Sequence, residues 1–112
     1  MDRSELALVA AGGFLGATLR YLVAVAIPGT GGTLVVNVLG SFALGTFVTT
    51  VSSRRVQLLF GTGLLSSFTT YSTFAVQTAG LTMTGGLLNV GANYVLGFSA
   101  AALGLFVGGK KL

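Results

Sequence analysis

The chain has no cysteine and no histidine, and it carries two acidic residues and one proline in 112 positions. Without cysteine there is no disulfide and no thiol chemistry, and without histidine the usual transition-metal ligand sets cannot be built. The two acids, Asp2 and Glu5, precede or barely enter the first apolar run, so no carboxylate falls deep within an apolar segment. Enzyme chemistry therefore has little to work with. Proton-coupled exchange lacks the acid or histidine that normally loads the proton at mid-membrane. Charge of either sign is scarce: 7% of the residues are charged and 53% hydrophobic, and few soluble domains can spare so many charges from their surface.

What is present is apolar length. A membrane-spanning helix needs about 20 mostly apolar residues. Four runs qualify, roughly 6–27, 33–51, 56–83 and 87–107, and they consume nearly the whole chain as one domain. Short turn-forming stretches separate them: "PGTGG" at 28–32, "SSRR" at 52–55 and "TGG" at 84–86. The first run is too long for a cleaved leader and carries Arg20, so it is expected to remain as a span. The fold class read from this pattern is an all-α membrane protein of four transmembrane helices.

The net charge of +4 does not indicate nucleic acid, because the basic residues sit at the ends of the runs. Arg3 precedes the first run, Arg54 and Arg55 lie between the second and third, and Lys110 and Lys111 close the chain. With four spans these segments share one side of the membrane, and only Arg20 lies nearer the other. The positive-inside rule then places both termini in the cytoplasm.

Helices in lipid associate by close approach at small residues. Gly12 and Gly16 form such a pair, Asn37, Ser41 and Gly45 a stripe on the second run, and Asn89, Asn93, Gly97 and Ala101 a stripe on the fourth. These read as packing surfaces. Four short helices enclose little interior, so a pore or carrier of this size calls for a second subunit.

The polar residues within the runs are Arg20, Asn37, Gln77, Asn89, Asn93 and the hydroxyls of "SSFTTYST" at 66–73. Arg20 can snorkel to the interface or hold a positive charge in a vestibule that attracts anions. Neutral donors with one arginine suit an anion better than a cation. Dense serine and threonine compete with the helical backbone. The third run, at 28 residues, is long enough to break near 66–70 into two half-helices. Such a break offers carbonyls to a cation and N–H groups to an anion. Tyr71 and Phe74 share a helical face, either lining an anion path with their ring edges or packing against a neighbouring helix.

These stretches together resemble the small four-helix fluoride channels of the Fluc (CrcB) family: "GGFLGATLRY" at 12–21, "GTLVVNVLGSFALG" at 32–45, "SSFTTYSTF" at 66–74 and "NVGANYVLGFSAAALG" at 89–104. The resemblance implies an antiparallel dimer with two narrow pores that lets fluoride leave the cell passively. It implies a structural sodium ion held at the dimer centre by backbone carbonyls, here those of Ser66 and Thr69. It places the pore asparagine at Asn37, the two box aromatics at Tyr71 and Phe74, the helix-4 polar positions at Asn89 and Asn93, and the helix-1 arginine at Arg20. Ser72 and Thr73 follow as hydroxyl donors beside the aromatics.

Two departures stand out. Ser66–Ser67 replaces a glycine pair, which requires that the backbone there not lie at positive φ. Tyr71 replaces a phenylalanine, keeping the ring edge and adding a hydroxyl. The charge bias argues for a single orientation, which favours a heterodimer with a related subunit of opposite bias over a homodimer whose subunits insert both ways. Of the rival readings, a small multidrug exporter needs a carboxylate within its first helix, and Glu5 lies too near the terminus. An accessory subunit without transport explains the small-residue stripes but not the hydroxyl-rich break.

Overall fold

The computed structural model describes residues 1–109, all of whose regular structure is helical. The expected Lys110 and Lys111 positions lie outside the described residues. Helix α1 is Arg3–Ala26 and α2 is Thr30–Thr50. Helix α3 covers 54–68, with its central Gln57–Leu65 wound as a π-helix. Helix α4 is Ser72–Ala79, and α5 is Met83–Gly109. Three helices, α1, α2 and α5, are long and apolar enough to cross a membrane. At about 1.5 Å per residue α1 is roughly 36 Å long, against about 30 Å of hydrocarbon. The third apolar run is divided between α3 and α4, and neither half can cross alone.

Local chemistry sets the ends. Asp2 opens α1 with a reciprocal cap: its carboxylate accepts from Glu5 N–H at 2.8 Å, and Glu5 Oε1 accepts from Asp2 N–H at 3.2 Å. Pro28 and Gly29 close that helix, Gly29 at φ 80 being the single left-handed residue among those described. The "PGTGG" connection is shorter than its composition suggested, since Thr30 to Gly32 already form the first turn of α2. The expected turn at 84–86 is also displaced. Those residues lie inside α5, and the chain reverses at 80–82 instead. Thr82 explains the shift: its Oγ1 accepts from Gly85 N–H at 3.1 Å and caps the helix three residues earlier.

Glycines set the packing. A Cβ on Gly12 would collide with Leu59 O, and one on Gly16 with Leu64 O and Ser67 Oγ. A Cβ on Gly63 would stand 2.8 Å from Gly12 Cα, so α1 and α3 touch backbone to backbone. The stripes on α2 and α5 meet in the same way: Gly45 faces Ala101 O, and Gly104 faces Phe42 O. Thr46 Oγ1 donates to Gly104 O at 3.2 Å across this contact. Large apolar side chains mostly point outward. Phe14 and Phe98 are each 70% exposed, while among the described residues only Val36, Leu58 and Phe74 are buried. That distribution is unfavourable in water and ordinary in lipid.

The N-terminus of α1 and the 52–55 connection lie at one end of the molecule. Arg54 Nε donates to Glu5 Oε2 at 2.6 Å, and Arg55 Nη1 to Ser4 Oγ at 3.0 Å. The cap's backbone N–H, with help from the Ser4 hydroxyl, holds the Asp2 carboxyl below the usual range. Glu5, by hydrogen bond and charge, holds Arg54 more firmly protonated than usual.

Candidate functional site: a helix break clamped by an asparagine

The hydroxyl-rich stretch does interrupt the third apolar run, slightly later than its composition suggested. Ser66 to Phe68 remain helical, and residues 69–71 form the break. The reason is visible in the side chains. Ser66 Oγ donates to Thr62 O, Ser67 Oγ to Gly63 O at 2.9 Å, and Thr69 Oγ1 to Leu65 O at 3.1 Å. These hydroxyls bond back to carbonyls of their own helix instead of ending it. Ser67 Oγ also lies 3.0 Å from Gly13 O and ties the end of α3 to α1. The chain leaves the helix at Thr69, whose φ −80, ψ 160 is extended.

Thr70 then starts the second half. It is buried, and its Oγ1 accepts from Thr73 N–H at 3.1 Å, capping α4. Its own backbone is held from across the bundle. Asn37 on α2 donates from Nδ2 to Thr70 O and accepts at Oδ1 from Thr70 N–H, both at 2.9 Å. One side-chain amide thus satisfies both backbone polar groups of the buried residue at the break, which would be costly to bury unpaired. Asn37 belongs to the site as a clamp on the break.

Further amides continue from it. Asn37 Nδ2 lies 3.5 Å from Asn93 Oδ1; Asn93 Nδ2 donates to Asn89 O at 2.8 Å; and Asn89 Nδ2 donates to Thr78 Oγ1 at 2.8 Å. The structure therefore gathers Asn37, Asn89 and Asn93 at one seam. Thr78, not singled out in the sequence, closes the chain of contacts.

The aromatics form a row. The rings of Tyr71 and Phe74 are 5.8 Å apart, Phe74 meets Tyr94 edge to face at 6.2 Å and 89°, and Tyr94 is 5.6 Å from Phe98. Phe74 is buried, whereas Tyr71 is 71% exposed. Tyr94 and Phe98 were missed in the sequence. Their signal was an i, i+4 aromatic pair beginning next to Asn93 on α5. A cavity of about 170 Å³ lies along the row, with Ser41, Asn37, Asn93 and the rings as its walls.

Arg20 is placed elsewhere. It is half-buried and lines a separate cavity of about 250 Å³ with Thr33, Thr70, Thr73 and Gln77. Gln77 Oε1 is buried there without a hydrogen-bond partner among the described residues. Thr73 therefore opens toward Arg20, while Ser72, exposed on α4, makes no side-chain hydrogen bond among the described residues.

Ser66 sits at φ −68, ψ −30, and among the described residues none other than glycine has positive φ. The condition set by the glycine-to-serine change is met. The end of α3 also leaves carbonyls without intrahelical donors. Among the described residues, no hydrogen bond reaches Ser66 O or Thr69 O, so both remain available to a cation. Ser66 and Thr69 line a third cavity, of about 450 Å³, which Tyr71 borders.

A helix interrupted within an apolar run, with its loose backbone clamped by a neighbour and flanked by cavities, defines a broken-helix membrane protein of the kind that handles ions. The family described as CrcB-like protein, Camphor Resistance (CrcB), matches residues 7–107. The chain is 50% identical over 110 residues to the fluoride-specific ion channel FluC 2 of Halobacterium salinarum, covering 93% of this chain and 86% of that protein. It is 46% identical over 116 residues to FluC 1 of Haloarcula marismortui, covering 95% and 91%. It is 52% identical over 107 residues to FluC 1 of Natronomonas pharaonis, covering 89% and 90%. The chain belongs to the CrcB family.

Proposed function

We propose that this protein is a fluoride-specific ion channel that lets cytoplasmic fluoride leave the cell passively. The observation that carries the reading is the clamped break at 69–71 beside the ring row of Tyr71, Phe74, Tyr94 and Phe98. Ring edges are weakly positive and suit a small anion without holding it as tightly as a buried charge would. The hydroxyls of Ser41, Ser72 and Thr73 add neutral donors, and Arg20 attracts anions to the second cavity. The named activity of the similar channels points the same way.

The working unit is an antiparallel dimer of four-span subunits, α3 and α4 together making one span. The lone chain supports this by what it leaves uncovered: Tyr71, Ser66, Ser72 and Thr73 are exposed at membrane depth, where a second chain rather than lipid should cover them. The carbonyls of Ser66 and Thr69 would hold a structural sodium ion, which fixes the two subunits at their centre by oxygen coordination and is not transported. Two such carbonyls cannot complete a cation's shell; the same pair from a second subunit would raise the number to four.

The basic bias of Arg3, Arg54, Arg55, Lys110 and Lys111 favours one orientation, with both termini in the cytoplasm. A partner of opposite bias, forming a heterodimer, follows from it. The numbering of the relatives as FluC 1 and FluC 2 is in keeping with paralogues. The multidrug-exporter alternative finds no support, because Glu5 lies at the helix end and pairs with Arg54. The test is a fluoride-electrode measurement on liposomes containing the chain alone and with a co-expressed relative. Rapid fluoride efflux is expected in at least one preparation, and its absence from both overturns the reading. Robust efflux from the lone chain, with termini accessible from both sides, overturns the heterodimer.

A further inference from the structure

We infer that Asn93, Asn89 and Thr78 are not ligands of the permeating ion but positioning residues. On this inference they form a hydrogen-bonded strut that runs from α4 through α5 to Asn37 and sets the geometry of the break. The inference rests on the fluoride-channel reading for what the break does, but not for the strut itself.

Donor accounting leads to it. A side-chain amide has two N–H donors and one carbonyl acceptor. Asn37 directs one N–H to Thr70 O, has Asn93 Oδ1 within reach of the other, and uses its carbonyl on Thr70 N–H. Nothing remains on Asn37 to offer an anion while the break is held. Asn93 is engaged in the same way: its nitrogen donates to Asn89 O at 2.8 Å and lies 3.2 Å from Asn89 Oδ1. Asn89 in turn donates to Thr78 Oγ1.

The strut joins the helix that follows the break to the break itself. Thr78 lies on α4, downstream of it, while Asn37 holds Thr70 within it. The contact from Asn37 to Asn93, at 3.5 Å, is the longest joint. The free donors along the ring row are then hydroxyls, with Ser41 Oγ making no hydrogen bond among the described residues.

Independent ion ligands lose activity multiplicatively, whereas a strut broken at one joint loses nothing more at the next. Fluoride efflux should fall in Asn37→Ala and less in Asn93→Ala, by roughly fivefold for the latter, equivalent to about 1 kcal/mol. The double variant should be no slower than Asn37→Ala. Thr78→Val should lower efflux and Thr78→Ser restore it.

A second readout does not depend on transport. Hydrogen exchange of a peptide covering 69–73 should speed up in Asn93→Ala and Thr78→Val, because the Thr70 N–H loses its support, and stay unchanged in Thr78→Ser. Multiplicative losses in the double variant, or unaltered exchange in Asn93→Ala, overturn the strut. If the wild-type protein moves no fluoride, the channel reading fails and exchange alone still decides the strut. If Asn37→Ala does not fold, Asn93→Ala and Thr78→Val decide it.

Discussion

Two seams hold this molecule together, and they do so by different physics. Between α1 and α3 the contact is steric: Gly12, Gly16 and Gly63 let carbonyls and Cα atoms approach until no Cβ fits. Lipid tails are as apolar as the side chains, so attraction there comes from dispersion over closely matched backbone. Around the break the contact of α2, α4 and α5 is polar: Asn37, Asn89, Asn93 and Thr78 hold a segment that has no helical partners of its own. Elsewhere α2 and α5 also pack closely, at Gly45 and Gly104. The first seam tolerates no added volume, and polar groups only fasten its ends, Ser67 to Gly13 O at one and Arg54 to Glu5 at the other. The second has room for cavities and fails once a buried N–H or C=O goes unmet. The steric seam supports the fold, and the polar seam keeps an irregular backbone in one conformation where the ion chemistry is proposed.

The sharpest way to break this contrast is on the steric side. Gly12→Leu should destabilise the protein by about 3 kcal/mol or more, because α1 and α3 must separate. Gly13→Ala, one residue away with nothing within 4 Å of its added Cβ, should stay within about 0.5 kcal/mol of wild type. Thermal unfolding in detergent measures both, and equal effects would show that the seam is not set by backbone approach.

On the polar side, Asn37→Ala removes both bonds to Thr70 and should cost about 2 kcal/mol, with fluoride efflux down by more than tenfold. A variant with normal efflux would mean that the break holds itself.

Acid should separate the seams next. The polar seam is built from amides and hydroxyls, whereas the steric seam ends at the Asp2 cap of α1 and the Glu5–Arg54 pair. The folded Asp2 carboxyl titrates below its ordinary 3.8, so the unfolded chain binds the proton more readily. Its contribution is complete above that ordinary value and is lost as pH falls through the lowered folded one. Unfolding temperatures compared at pH 7 and pH 3 should fall, and Asp2→Asn should flatten the drop.

The smallest effect is expected at the ring row. The Tyr71 hydroxyl makes no hydrogen bond among the described residues, so Tyr71→Phe should keep fluoride efflux within about twofold of wild type. Loss of efflux would make the hydroxyl essential and the ring-edge account wrong.

Much of this was legible in the order of residues. Apolar length announced helices of membrane-spanning size, and glycine spacing picked the faces that meet. The hydroxyl cluster marked the interruption to within a few residues. Other features were hidden for a definite reason. Ser66 and Ser67 look the same in sequence as Thr69 and Thr70. Yet the hydroxyls of Ser66, Ser67 and Thr69 bond back to their own helix, whereas the backbone of Thr70 is held by Asn37, 33 residues away. The start of α5 moved because one hydroxyl, Thr82, outweighed two glycines at 85 and 86.

The sequence by itself determined that the chain is an all-α membrane protein with a polar device in its third apolar run. Composition and periodicity are summed over short windows, and lipid rewards them directly. Only the tertiary structure decided which polar groups that device spends on holding itself together. Those bonds join residues 33 and 56 positions apart, and no local pattern specifies which amide will meet which carbonyl.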